Sequence, residues 1–580
     1  MYLKQIPQKN GRVKLAVYES FREGRRTRSR TVRPLGYLDE LKDIHEDPVA
    51  WGKAVALEMT EAKRAEEQAV SIEIHPMQKI DKRTDNVKNI GSAALLAPYA
   101  ALGIERVLRN HLRGSSVEYD LNAVTRLLVC ERIVCPGSKL AAFSNKERHF
   151  FRTEFLKDDV YRALDELADA KDKIVSAINR RIAEAHIRDM SAVYYDVTNY
   201  YFEIDEEDEL RKKGLSKEHK KSPIVQMGLL QDARGIPIAY RLFAGNTADS
   251  ATMIPVLSDL KKDYKLERVV AVADKGLNCS DNIAAAVGTG DGFVFSQSVR
   301  GKKSDKELKA WVLDETGYAH SKKEDSSFKV KSKQGVKTVH LKAADTHLGK
   351  AKDVEIEVKY VAFWSEKYEK RARREREVSI EKARKLIKNP GAYTEATSFG
   401  AAQYVKNLAF DKESGEIVEG RKLELDEAAI AEAEKYDGYY LIVTSETDWD
   451  AKKIIDTYRE LWKIEESFKI TKSELETRPV YVWTPKHIEA HFLICYIALV
   501  ILRLLQLITG LPCSCIREEI ASMTGINMDA NWWVFGHRTD ESDLIAKAVG
   551  LEELKLKNIT TRKAKEILAK SAKWKIPHVK

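Results

Sequence analysis

The spacing of hydrophobic positions changes along this chain, and the changes mark out its elements. From about residue 89 to 187, apolar residues recur every three or four positions, which predicts a series of helices. From Met190 the period falls to two, and the run SAVYYDVTNYYFE predicts a strand rich in β-branched and aromatic residues. Further strand and helix patterns follow up to about residue 300, in the predicted order β-β-β-α-β-α-β. The chain is therefore predicted to be an α/β protein with a mixed sheet and flanking helices.

The sequence becomes more hydrophilic near Arg300 and remains so to about Lys435. Strand-like runs such as VEIEVKYVAFW stand beside a very basic helical run, EKYEKRARREREVSIEKARKLIKN, and the buried-strand pattern then resumes in DGYYLIVTS. We interpret this region as a β-rich insertion that interrupts the α/β core.

A long helical run, WDAKKIIDTYRELWKIEESFKITK, follows the insertion and is predicted to be amphipathic from Tyr458 to Lys472. The next helical run, from Phe492 to Ile508, is almost entirely apolar, but Arg503 interrupts it. Its length is that of a short membrane span. Because it follows directly on the polar run KHIEAH, we predict a buried helix that covers the sheet and no membrane span.

These changes in hydrophobic period and composition divide the chain into six predicted regions. We predict a basic β-hairpin and helix region with a further short strand from Val70 (1–88), a helical domain (89–187), the first part of the α/β core (188–300), the β-rich insertion with its basic helix (301–435), the second part of the core (436–510) and a helical basic tail (511–580). The Arg and Lys residues of 89–187 would suit binding to duplex DNA, and a plain helical bundle is the alternative.

The net charge of +9 is unevenly placed. Residues 1–36 hold ten Lys or Arg against two Glu, and residues 554–580 hold nine against one, so each segment carries +8. Such clustering favours a polyanionic partner, most simply nucleic acid, although solubilising tails are the alternative. The six cysteines form no CxxC pair and the first residues lack an apolar core, so we expect reduced thiols in a cytoplasmic protein.

Three carboxylates are candidate metal ligands. Asp196 lies in the middle of a strand, Asp274 ends a buried strand, and Glu465 lies on the long amphipathic helix. If they converge, they supply the oxygen ligands that Mg²⁺ or Mn²⁺ prefers, and two such ions suit in-line displacement at phosphorus. The alternatives are an aspartate that caps a turn or accepts backbone bonds, and a solvated helix on which Glu465 pairs with Lys469.

Three sequence blocks in order resemble the DDE transposases of bacterial insertion sequences. The blocks are YYDVTNYYFE, then FAGNTADS with ADKGLNCSDN, and a final helix of the type Y-x2-R-x3-E-x6-K, matched by Tyr458, Glu465 and Lys472. Leu461 stands where this family has arginine. The resemblance covers about 190–510 and implies an RNase H-like core with a β-rich insertion before the final glutamate.

The resemblance also implies an activity: cleavage at the ends of a mobile element to free a 3′-OH, followed by its attack on target DNA. Asp196, Asp274 and Glu465 would be the catalytic residues and the ligands of two Mg²⁺ or Mn²⁺ ions. The resemblance and the basic runs together imply DNA contacts, whose residues are Lys275, Arg371, Arg373, Arg374, Tyr458, Lys469 and Lys472. For the basic run of the insertion, a solvated helix face is the alternative.

The expected partners are double-stranded DNA, as terminal inverted repeats and as target, and a second copy of the chain on paired ends. Two other functions remain open from the sequence. One is an RNase H-like nuclease that cuts without joining, and the other is a catalytically silent DNA-binding regulator of the element.

Overall fold

The computed structural model describes residues 1–8, 11–23, 26–67, 77, 79, 86–214, 222–264, 268–300, 305–320, 327–341, 352–394, 397–398, 400–410, 416–418, 422–528 and 531–578. It divides into two compact units, Met1–Arg83 with Met528–Ala530, and Thr84–Asn527 with Asn531–Lys580. The short strand predicted from Val70 lies outside the described residues.

The first unit is a small sheet covered on one face by a helix. Its elements are β1 (Tyr2–Pro7), β2 (Val13–Glu23), β3 (Arg26–Tyr37), α1 (Leu38–Leu41) and α2 (Pro48–Glu67). The strands pair antiparallel in the order β1-β2-β3, so three strands replace the predicted hairpin. A Cβ on Gly52 of α2 would lie 2.8 Å from Leu3, which shows how closely the helix approaches the sheet.

The second unit begins with a short strand and a group of helices, as the apolar period predicts. These are β4 (Val87–Asn89), α3 (Ser92–Ala101), α4 (Ile104–His111), α5 (Leu121–Val134), α6 (Lys139–Ser144) and α7 (Lys157–Glu184). The side chains of Asp120 and Ser138 cap α5 and α6 by accepting from the backbone N–H groups of Ala123 and Ala141. The buried faces of these helices join one hydrophobic core with the later helices of the chain.

The next elements follow the predicted order β-β-β-α-β-α-β. They are β5 (Val193–Tyr201), β6 (Ile224–Asp232), β7 (Pro237–Ala244), α8 (Met253–Tyr264), β8 (Val270–Ala273), α9 (Ser280–Gly288) and β9 (Gly292–Ser296). In space the strands lie in the order β7-β6-β5-β8-β9. β5, β8 and β9 are parallel, whereas β6 and β7 continue antiparallel from β5.

The region between 301 and 435 extends this sheet and also builds a small core of its own. Its elements, followed by the next core strand, are α10 (Lys306–Leu313), β10 (Ala319–His320), β11 (Phe328–Leu341), β12 (Lys352–Ser365), α11 (Glu366–Lys388), β13 (Val405–Lys406), β14 (Glu424–Leu425), α12 (Glu427–Glu434) and β15 (Tyr439–Thr444). Because β12 pairs with β15, and β15 with β9, strands of this region and of the core share one nine-stranded sheet, β10-β11-β12-β15-β9-β8-β5-β6-β7. Three strands predicted as part of an insertion, β10, β11 and β12, therefore belong to the main sheet. β13 and β14 pair only with each other in the described sheets, and residues of α11, α12 and β13 pack together in a separate cluster.

The sheet has one hydrophobic core on each face. One face, which we call the α14 face, is covered by helices α13 (Ala451–Arg459), α14 (Trp462–Lys469) and α15 (Pro485–Thr509). The other, the α9 face, is covered by α8, α9 and α10. By length and composition α15 could cross a membrane, yet 78% of its most apolar window is buried inside the fold, as predicted for a core helix.

The C-terminal region is part of the folded unit. It contains α16 (Cys513–Ser522), β16 (Thr524–Met528), β17 (Trp532–Phe535), α17 (Asp540–Ala548), β18 (Asn558–Thr560) and α18 (Thr561–Ser571). The strands form a second sheet with β4, in the order β18-β17-β16-β4. The prediction of a helical basic tail over 511–580 is therefore wrong in part: aromatic residues such as Trp533 form a strand and are buried against Phe150.

Candidate active site

Asp196 lies in the middle of β5, and its side chain belongs to the α14 face of the sheet. Along β5, Tyr194 and Tyr200 pack in the core with α14, whereas Tyr195 and Val197 pack in the core on the other side. Successive side chains of a strand alternate between faces. Asp196 therefore points to the face on which α14 lies, where it is half-buried.

Asp274 follows β8 directly, at the end of the strand that pairs with β5. The parallel pairing of β5 and β8 sets Val193 against Ala271 and Tyr194 against Val272, so two residues further on Asp196 falls level with Asp274. Neighbouring strands lie about 5 Å apart. Asp274 lies two residues after Val272 in extended backbone, so its side chain is on the same face as that of Val272, which packs in the α14 core. Both aspartates are therefore on the same face of the sheet. The Asp274 side chain is exposed.

A hydrogen bond connects Asp274 to α13. The Tyr458 hydroxyl donates to Oδ1 of Asp274 at 3.1 Å. Burial of the phenol, reinforced by the negative charge of Asp274, raises the pKa of Tyr458 far above its usual value, so the hydroxyl remains a donor at neutral pH. Tyr458 was predicted to contact DNA, but here its polar atom is directed to a carboxylate of the site.

Glu465 lies on α14, exposed to solvent, on the face of the sheet that carries both aspartates. The prediction of one continuous helix from Tyr458 to Lys472 is wrong. α13 ends at Arg459, α14 runs only over Trp462–Lys469, and a wider π-helical turn spans Ile470–Glu474. At the first break, the N–H of Lys463 donates to the carbonyl of Glu460, a bond between residues three apart that tightens the chain there.

Three lysines lie near Glu465 and Asp274 in sequence, and they differ in exposure and in what they contact. Lys472 lies in the π-helical turn with its Nζ 5.7 Å from the centroid of the Tyr200 ring, so it is held over the end of β5. Lys469 and Lys275 are exposed, the latter directly after Asp274. These three lysines place positive charge on the segments that carry Glu465 and Asp274.

The N-terminal half of α11 also approaches the site. Arg371 is close enough to Glu465 for their charges to interact, although its first partner is Glu375 at 2.8 Å, and together these raise the pKa of Arg371. Arg373 pairs with Glu369 at 3.3 Å, and Arg374 is exposed. Two of the three predicted arginines are thus partly neutralised by glutamates one turn away along α11.

Leu461, which departs from the family arginine, is buried in the α14 core with only 8% of its surface exposed. The nearby Arg459 does not replace that arginine at the acids. Its guanidinium carbon lies 5.1 Å from the centroid of the Phe328 ring and 5.9 Å from that of Phe363, so it stacks on β11 and β12.

The three carboxylates fit a magnesium site by their chemistry. All are oxygen donors on one face of the sheet, and Asp274 and Glu465 are open to solvent, as a site for a hydrated ion and a phosphate chain requires. In the described ranges no group of three or more His, Cys, Asp or Glu side chains is close enough to hold a metal ion as it stands. The acids therefore share a face without being gathered into one ligand set.

Sequence reasoning missed the residues that hold α14 in place. Arg503, which served only to argue against a membrane span, is buried and donates to Glu466, to Ser467 and to the carbonyl of Lys463. Ser467 in turn donates to Gln231 of β6 at 2.9 Å. A lone arginine in an apolar helix was the available signal, because a buried guanidinium requires partners.

Two protein-family models match the chain. A family model described as "Transposase DDE domain" matches residues 202–501, and one described as "IS1634 family transposase, N-terminal domain" matches residues 3–70. The first match spans more than half of the chain, includes Asp274 and Glu465, and begins six residues after Asp196. The chain belongs to the DDE transposases of insertion sequences, which confirms the resemblance seen in the sequence.

The chain was also compared with solved structures and with curated proteins. A solved structure titled "Cryo-EM structure of piggyBac transposase synaptic complex with hairpin DNA" aligns over 82% of this chain and 85% of that chain, with a TM-score of 0.38 and 7% sequence identity. No curated protein matches the chain.

Proposed function

We propose that this protein catalyses DNA transposition: it binds the ends of its element, cleaves them and joins the freed 3′-OH to target DNA. The observation that carries the proposal is the placement of Asp196 and Asp274 level with each other on adjacent parallel strands. Glu465 lies on a helix packed on that same face. In a chain of the DDE transposase family, this arrangement is what a phosphoryl-transfer site on a DNA backbone requires.

Asp196, Asp274 and Glu465 would hold one or two Mg²⁺ or Mn²⁺ ions. Ions bound there stabilise the attacking and leaving oxygens of an in-line displacement at phosphorus. Tyr458 orients Asp274 through its hydroxyl, and Lys472, held over Tyr200, binds a phosphate of the DNA near the scissile bond.

The arginines at the start of α11 are proposed as a second DNA contact. Arg371, Arg373 and Arg374 lie in its first half, and Arg371 is within electrostatic range of Glu465. DNA phosphates would compete with Glu375 and Glu369 for two of these guanidinium groups, and this exchange of one anion for another is possible because all three side chains are exposed.

The finer description of the fold is also proposed. The strand order β7-β6-β5-β8-β9, with β5, β8 and β9 parallel, supports an RNase H-like core interrupted between Asp274 and Glu465. The helical region 89–187 and the basic first unit are proposed to bind the terminal repeats. A dimer on paired ends and a cytoplasmic location beside the nucleoid complete the proposal.

The experiment uses uncut element ends, a plasmid target and Mg²⁺ or Mn²⁺. Cleavage followed by joining to the plasmid is the expected result. Cleavage without joining, on single as well as paired ends, would instead indicate a nuclease. Binding of the ends with neither reaction would indicate a regulator of the element, and either result would overturn the proposal.

A further inference from the structure

Arg503 is the buried charge of α15, and every hydrogen-bond donor of its side chain has a partner. It is 5% exposed. Nε donates to Oγ of Ser467 at 3.2 Å, and Nη2 donates to the same Oγ at 2.7 Å and to the Lys463 carbonyl at 2.7 Å. Nη1 donates to Glu466 at 2.7 Å and to Gln506 at 2.6 Å. These five bonds use all five N–H groups of a guanidinium.

The groups that Arg503 contacts lie on the back of α14, away from Glu465. Residues of an α-helix are separated by about 100° around the axis. Lys463 and Ser467, four apart, therefore share one stripe, and Glu465, two residues from each, lies on nearly the opposite side. Ser467 also donates to Gln231, so the contact joins α15, α14 and β6.

The short length of α14 explains why such a contact matters. It has only eight residues, with a break before Trp462 and a π-helical turn after Lys469. A helix of this length is not stable by itself, and neither end continues into regular helix that would fix its rotation. Ile464 and Phe468 bury its apolar stripe, but apolar contacts are non-directional and tolerate rotation.

We propose that Arg503 is a positioning residue for the reaction, which fixes the rotation of α14 so that Glu465 faces the two aspartates. The inference rests on the proposed function, because it assigns Arg503 to the metal-binding geometry of that site. The planar fork of arginine is required, since one guanidinium must reach a carbonyl, a hydroxyl and a carboxylate at the same time. Lysine has the same charge but only three donors on one atom.

The test compares Arg503→Lys and Ser467→Ala with the unmodified full-length protein. The matched control is Arg188→Lys, whose side chain is 8% exposed and pairs with Asp232 at 2.9 Å. Its other partners, Asn179 and the carbonyls of Ile236 and Pro237, also lie outside α14. Joining of pre-cut DNA ends is measured across a Mg²⁺ titration. Mn²⁺ binding is measured separately by electron paramagnetic resonance, and hydrogen exchange follows the amides of residues 462–469.

The expected result is selective. Arg503→Lys should raise the Mg²⁺ concentration for half-maximal joining by about tenfold, the lower end of the range seen when the partners that orient metal ligands are removed. It should weaken Mn²⁺ binding by a similar factor and speed exchange in α14. Ser467→Ala should shift all three measurements in the same direction by less, and Arg188→Lys should leave the metal dependence unchanged.

Two results would overturn the inference. One is an unchanged metal dependence and unchanged Mn²⁺ binding in folded Arg503→Lys protein. The other is an equal shift in Arg188→Lys, which would show a general loss of stability. If the unmodified protein binds Mn²⁺ but joins no DNA, the proposed function fails, and the Mn²⁺ and exchange measurements still decide whether Arg503 positions α14.

Discussion

Tyr458→Phe removes the hydroxyl that donates to Asp274 and leaves the aromatic ring in place. The ring is largely buried and packs against the α14 core, so the substitution should change the free energy of unfolding little. What is lost is the hydrogen bond of 3.1 Å to a carboxylate, together with a hydrogen bond between the hydroxyl and Ser296.

The size of the effect follows from the exposure of Asp274. A hydrogen bond to a charged group contributes about 1.5–3 kcal/mol when both partners are buried. Asp274 is exposed, so water replaces part of the bond, and about 1 kcal/mol remains to orient the carboxylate. Since 1.36 kcal/mol corresponds to a factor of ten in rate, we expect joining at subsaturating Mg²⁺ to slow by roughly fivefold.

The assay is joining of pre-cut DNA ends to a plasmid at several Mg²⁺ concentrations, with DNA affinity measured in parallel. The expected result is a deficit that shrinks as Mg²⁺ is raised, with DNA affinity unchanged. A loss of DNA affinity with an unaltered Mg²⁺ requirement would refute this reasoning and restore the role first predicted for Tyr458, a contact with DNA.

Three further predictions concern Leu461, Lys139 and Lys472. Leu461→Arg places a guanidinium in the α14 core and should lower the free energy of unfolding by about 2–4 kcal/mol, seen as a lower melting temperature without faster joining. Lys139 is buried beside His491, and burial lowers its pKa to about 7. In the unfolded chain the pKa of Lys139 is near 10.5, so between pH 7 and 10.5 the unfolded chain binds more protons than the folded one. The free energy of unfolding should therefore rise by ~1 kcal/mol per pH unit in this range, and Lys139→Met should flatten that slope in denaturant titrations. Lys472→Gln should weaken DNA binding and reduce by about one the slope of log affinity against log salt, whereas an unchanged slope would mean that Lys472 only packs on Tyr200.

Local patterns were sufficient to place the three acids on their elements. The period of two around Asp196, the buried run before Asp274 and the amphipathic run around Glu465 are each set by residues close in sequence, and the structure has a strand, a strand end and a helix at these positions. Register between β5 and β8 then brings the aspartates level, and this depends on long-range pairing that no local period reveals.

The features that local patterns did not reveal depend on distant contacts. β12 pairs with β15 across about 75 residues, and because this pairing is long-range, the local sequence of β12 predicts only a strand of the insertion. Among the C-terminal strands, β16 pairs with β4, more than 430 residues away in sequence, and β4 has only three residues. The break before α14 and the contacts of Arg503 depend on packing between α14 and α15, so the run from Tyr458 to Lys472 looked like one helix.

The most direct test of the central claim is a joining assay on pre-cut ends that bear a 3′-OH, with Glu465→Gln beside the unmodified protein. Glu427→Gln, at the exposed start of α12, is the matched control. The account predicts joined products from the unmodified protein and the control, and none from Glu465→Gln, although that variant still binds the DNA ends. Joining by Glu465→Gln at the unmodified rate would contradict the account, because the carboxylate on α14 would then have no part in the reaction.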